Sequence, residues 1–155
     1  MARNADLLLA LAAAVVLAVL AWPRGGGLSA ARADWTLTPG VLNPAVTEAT
    51  ISDTICKHGW TSTIRPPSEY TTQLKREQMR DYGRTGSLSG FQEDHLISLE
   101  LGGHPTDPRN LWPQPYPRAS RVDQEENRLN DLVCSGRISL AEAQQRESAM
   151  KHTEG

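Results

Sequence analysis

Glu93-Asp94-His95-Leu96-Ile97-Ser98-Leu99-Glu100-Leu101-Gly102-Gly103, followed by Asn110-Leu111-Trp112-Pro113, decides how this chain is read. An acid and a histidine stand side by side at the head of an apolar run. A Gly-Gly pair closes the run, and an asparagine follows the histidine fifteen residues on. Ionisable side chains in a core strand are unfavourable unless a partner or a metal compensates them. The pair is therefore either a chemical site or a buried hydrogen-bonded pair that fixes a hairpin.

The polar/apolar alternation over residues 92–101 predicts a strand, with Leu96 facing away from His95 and Ile97. Pro105 and Asp107-Pro108 predict a rigid loop. Asn110-Leu111-Trp112 reads as a short return strand, ended by Pro113, Pro115 and Pro117. A helix is expected over about residues 118–134, stopped at Ser135-Gly136, with Val122, Glu126, Leu129 and Val133 on one stripe. A last helix opens at Ser139 with Glu142 in a capping box and runs towards Met150. Upstream, the Thr- and Ile-rich segments 50–55 and 60–65 read as short strands around Cys56. Ser68 can cap a helix that runs to Tyr82, with Gly83 as its stop.

Strand, loop, strand and acid-bearing helix over residues 92–131 resemble the ββα-metal arrangement of HNH nucleases. The resemblance implies Asp94 as a metal ligand and His95 as the general base that activates water. It implies Asn110 as the residue that fixes the loop, and a ligand on the helix to complete the metal site. A wider set of residues is similar to a family of small exported bacterial proteins described as hypothetical or HNH-like. It runs from Thr54-Ile55-Cys56, Gly59-Trp60 and Arg65-Pro66 through the central motif to Val133-Cys134-Ser135-Gly136 and Leu140-Ala141-Glu142-Ala143-Gln144. Two departures stand out. No histidine occurs between His104 and His152, so Asp123 or Glu126 would replace the closing His of the HNH motif. Val122 stands where the wider family carries Lys, and the C-terminal tail has no Trp.

The chemistry asks for these residue types. A neutral-pH base for water suits histidine. The negative charge that phosphodiester hydrolysis gathers suits a hard divalent ion, Mg²⁺ first and Mn²⁺ or Zn²⁺ as alternatives. Neighbouring strand residues face opposite ways, so Asp94 and His95 can share a site only if a bulge or bend ends the strand. Arg109 is a candidate phosphate contact, or else a loop ion pair. Trp112 could stack on a base, or else pack in the core. Glu126 on an apolar stripe would be explained equally by an ion pair with Arg109 or Arg121.

Residues 7–22 form an unbroken apolar run behind Arg3, broken by Pro23-Arg24-Gly25. Sixteen residues suit the apolar region of a signal peptide and fall short of the about 20 of a membrane span. Ala31-Arg32-Ala33 offers a cleavage pattern, yet it lies well beyond the run, so an uncleaved anchor is the alternative. Either reading exports the domain, and the membrane would be touched only through this segment. Two cysteines, Cys56 and Cys134, favour one disulfide in an oxidising compartment, with two buried thiols as the other reading.

Three of the sixteen basic residues and one of the eighteen acidic ones lie in the leader, which leaves a net charge of −4. That lacks the basic footprint of a general nucleic-acid binder, although residues 57–84 hold six basic residues against three acidic. The expected plan is α+β: a leader over 1–33, an extended arm over 34–50, an HNH-like domain over 51–150 and a polar tail over 151–155 that frays. Two functions compete. One is a metal-dependent endonuclease acting on nucleic acid. The other is a non-catalytic exported binding or structural module that keeps the fold.

Overall fold

The computed structural model describes residues 31–154; the leader expected over residues 7–22 lies outside them. The fold is α+β. Among the described residues it holds four α-helices, α1 (Trp60–Ile64), α2 (Ser68–Asp81), α3 (Tyr116–Cys134) and α4 (Leu140–Thr153). One two-stranded antiparallel sheet pairs β1 (Phe91–His95) with β2 (Leu111–Pro115). Asp94 faces Trp112 in the register, and His95 faces Leu111. No helix among the described residues is long and apolar enough to cross a membrane.

The strand predicted over 92–101 stops at His95. Residues 95–99 are buried without interruption, so the alternation that a half-buried strand needs is lost there. The chain bends at Leu96 and Ile97 and makes a short 3-10 turn at Leu99–Leu101. Pro113 lies within β2 rather than ending it. A strand paired on one side only tolerates a residue without an N–H.

The segments 50–55 and 60–65, expected as strands, are a 3-10 turn and the short helix α1. Local hydrogen bonding outweighs the β-preference of Thr and Ile. Gly59 takes a left-handed φ of 79° to start α1, and the Thr63 hydroxyl donates to the Trp60 carbonyl at 2.6 Å. Helix α2 matches its expected span, but Ser68 is its first residue and not a side-chain cap. Helix α4 opens as predicted, with the Ser139 hydroxyl accepting from the Glu142 N–H at 3.1 Å.

Both ends of the expected domain plan need correction. The arm over 34–50 is turn-rich and packs onto the domain at a few points. Leu42 bridges to Gly103, the Asn43 N–H donates to the Gly102 carbonyl, and Val46 is buried. Ala33, the last residue of the expected cleavage pattern, packs with Leu96 and Trp112. At the other end α4 runs past Met150, and Lys151 and His152 are buried instead of frayed.

The main core gathers Val46, Ile55, Ile97, Leu101, Leu129, Val133, Leu140 and Ala143, which joins α3, α4 and the turn after β1. Cys56 and Cys134 form a disulfide with Cα atoms 5.5 Å apart. It staples the turn before α1 to the end of α3, and it fits an oxidising compartment. It closes 78 residues of chain. Cys134→Ser is expected to lower stability by about 2–4 kcal/mol. Urea unfolding of the oxidised native chain and the variant checks this.

Candidate active site

The end of β1, the turn behind it and two helices enclose a cavity of about 460 Å³. Strand β1 contributes Gln92, Glu93, Asp94 and His95. The following turn gives Ser98 and Glu100. Helix α3 gives Asp123, Glu126 and Asn127, and α1 with its C-terminal cap gives Thr61 and Arg65. Asp94, His95, Asp123 and Glu126 thus line one space. Asp94 and His95 pair in regular register with no bulge, and the chain bends only after them, at Leu96 and Ile97.

His95 is largely buried, and its Nε2 lies 3.0 Å from the Pro105 carbonyl. A carbonyl only accepts, so Nε2 carries the proton and the lone pair of the neutral ring is on Nδ1. Burial pushes the imidazole below its usual range, and nearby Lys151 and Arg65 add to this. The Pro105 carbonyl and Asp94 oppose it without reversing the direction. A neutral imidazole, oriented through one nitrogen, is the form a general base needs.

Asn110 is fully buried and does not line the cavity. Its Oδ1 accepts from the N–H groups of Ile97 and Val41, at 3.0 and 3.4 Å. Its Nδ2 donates to the carbonyls of Ile97 and His104, both at 3.0 Å. With donors and acceptor so engaged, its role is to fix the bend after His95 against the loop that carries Pro105.

The acidic side holds a cation that the sequence did not suggest. Lys151 of α4 is fully buried. Its Nζ lies 3.0 Å from Asp94 Oδ2, 2.6 Å from Glu126 Oε1 and 3.1 Å from Glu147 Oε1. It also donates to the His95 carbonyl. Burial alone would push this ammonium down, but Asp94, Glu126 and Glu147 hold it well above its usual range. Glu126 is pushed well up by burial, with Asp94 and Glu147 adding to it and Lys151 opposing. Three carboxylates thus share one ammonium, and burial favours the protonated form of Glu126 and of Glu147. Both Glu147 oxygens accept from the Ser98 N–H at 3.0 Å, so α4 also holds the turn that follows His95.

Glu93 is the wall residue that the motif did not single out. Both its carboxylate oxygens are buried without a hydrogen-bond partner. Burial pushes it up to about 8, against the pull of Lys75 and with a further push from Asp94. Asp123 is exposed on the rim. Burial, then Asp94, raises it above its ordinary value, and Lys151 opposes.

Two expected substrate contacts take structural positions instead. Trp112 is fully buried against Ala33 and Leu96, so no base can reach its face. Arg109 lies outside the cavity wall and grips Asp107 through Nε and Nη2 at 3.0 and 2.7 Å. Arg65 is the arginine that does line the cavity, and it is exposed there.

Among the described residues, no three His, Cys, Asp or Glu side chains form a ready metal-binding group. No protein-family model, curated protein or solved structure matches the chain.

Proposed function

We propose that this protein is a metal-dependent phosphodiester hydrolase of the HNH type, with a ββα-metal core formed by β1, β2 and α3 and with nucleic acid as its substrate. The observation that carries this reading is the single cavity lined by His95, Asp94, Asp123 and Glu126. His95 takes the proton of the attacking water on Nδ1, while the Pro105 carbonyl holds the ring through Nε2. Asp94 and Glu126 would hold the divalent ion, with Asp123 at the rim. Bound there, Mg²⁺ or Mn²⁺ supplies the positive charge that offsets the negative charge gathering on the phosphate. Arg65, which lines the same cavity, would meet a phosphate oxygen. Asn110 and Glu147 keep the His95 bend in place and touch no substrate.

Plasmid nicking with Mg²⁺ or Mn²⁺ tests the reading. His95→Ala is expected to lose at least about a hundredfold in rate, the usual contribution of a positioned base. Equal nicking by native chain and variant would remove His95 from the mechanism. A second reading, a non-catalytic exported module, is favoured by one observation. Lys151 already supplies a cation between Asp94 and Glu126, as a purely structural cluster would need. No nicking by the native chain with either ion would favour that reading.

A further inference from the structure

The small-x-small pattern Ala31-Arg32-Ala33 would make Asp34 the first residue after cleavage, yet the fold holds both residues just before that cut. Ala33 is 5% exposed and packs with Leu96 and Trp112. Its N–H donates to the Lys151 carbonyl at 3.0 Å. Lys151 stands in the last turn of α4, where carbonyls have no partner inside the helix, so Ala33 satisfies one of them. The Arg32 side chain is exposed, but its carbonyl accepts from Arg84 Nη2 at 3.0 Å. Arg84 is fixed in turn, with its guanidinium carbon 5.0 Å from the ring centre of Tyr82, 5.7 Å from that of Phe91 and 5.6 Å from that of Trp112. Its Nε is buried without a hydrogen-bond partner.

We propose that a signal peptidase cuts the leader between Ala31 and Arg32, so that the exported chain begins at Arg32. The proposal rests on the export reading of residues 7–22 and is independent of the chemistry proposed above. One water hydrolyses the bond. The Ala31 carbonyl carbon takes its hydroxyl, the C–N bond breaks, and the Arg32 nitrogen takes the proton and leaves as an ammonium on an exposed residue.

Fold and sequence agree on this position. A cut after Ala33 would leave the Lys151 carbonyl, on a fully buried residue, without its donor, and Arg84 Nη2 without its acceptor. A buried polar group robbed of its partner loses the full compensation for leaving water. The same cut would remove the methyl group that packs with Trp112. A cut after Ala31 keeps all three contacts. In the sequence, Ser29-Ala30-Ala31 offers small residues at the same two positions as Ala31-Arg32-Ala33, and it lies two residues nearer to the apolar run.

The test exports the full chain from a bacterial host with its own leader. Intact mass and N-terminal sequencing read the first residue of the disulfide-bonded product. Arg32 is expected. A product that begins at Asp34, or a chain that stays uncut, overturns the proposal. Two variants of the full chain separate the sites through processing, which does not require the variant to fold. Ala33→Val enlarges the residue just before the rejected cut and leaves Ser29 and Ala31 intact, so it should still be processed to Arg32. Ser29→Phe removes a small residue of the proposed site and leaves Ala31 and Ala33, so the yield of product beginning at Arg32 should fall by about tenfold or more. A block of processing in Ala33→Val, or native processing of Ser29→Phe, overturns the assignment.

Discussion

Lys151→Met is expected to destabilise the folded chain by roughly 3–5 kcal/mol, the range for breaking a buried ionic cluster by removing one partner. The substitution keeps most of the side-chain volume, so packing is largely preserved. What it removes is the ammonium bound to Asp94, Glu126 and Glu147. Glu147 is fully buried and Glu126 nearly so, which leaves them to protonate or to draw water inward. The His95 carbonyl loses its donor as well. At about 2–4 °C per kcal/mol for a chain of this size, the melting temperature should fall by roughly 6–20 °C. Adding Glu126→Gln and Glu147→Gln to Lys151→Met should restore most of the loss, because no orphaned charge then remains on α3 or α4. Thermal unfolding followed by circular dichroism checks both. Equal melting of native chain and Lys151→Met would show that the cluster contributes nothing net.

This lysine also marks the limit of what the sequence disclosed. Lys151 stands in a polar stretch after the last apolar residues, which reads as a fraying tail. The usable signal was spacing. Leu140, Ala143, Glu147 and Lys151 follow one another by three or four residues, so the last two continue the buried stripe of α4. An acid and a base on an apolar stripe are a buried pair when they lie inside the helix and a solvated one when they lie beyond it. Where α4 ends depends on contacts with residues 33–38, through the Ala33 N–H on the Lys151 carbonyl and His152 Nε2 on the Thr38 carbonyl. Those contacts span more than a hundred residues, and no local pattern encodes them.

Local chemistry was readable where it acts alone. The capping box at Ser139 and Glu142, the turn glycine after α2 and the Cys56–Cys134 pairing all follow from residue type and spacing. The acid and histidine at the head of the apolar run, and acids on the following helix, pointed to one neighbourhood, and the cavity holds them together. Exposure was not readable. Arg109 and Trp112 flank Asn110 closely in sequence, yet one is pinned to Asp107 and the other is fully buried. Arg65, far upstream, reaches the cavity because the disulfide and α1 bring its segment beside α3.

Gly103→Ala should damage the site more than any substitution on its wall that leaves the backbone in place. A Cβ at residue 103 would lie 1.7 Å from the Ile97 carbonyl oxygen and 2.7 Å from Asn110 Nδ2. Both are parts of the fixture that sets the bend after His95, and the first is backbone that cannot rotate away. The Asn110 amide donates to that same Ile97 carbonyl and accepts from the Ile97 N–H. Making room for a methyl group therefore separates Ile97 from Asn110 and strands buried polar groups, each at about 1–3 kcal/mol. Two such losses give an expected destabilisation of roughly 2–6 kcal/mol. The loop that carries Pro105 would move with residue 103, and the His95 ring would lose the carbonyl that orients it. Gly103→Ala should thus lower both the unfolding midpoint in urea and the nicking rate, whereas His95→Ala should lower the rate with a smaller loss of stability. If Gly103→Ala unfolds at the native urea concentration, the close approach of residue 103 to Ile97 is not a feature of the folded protein, and the account of Asn110 as the fixture of the bend fails with it.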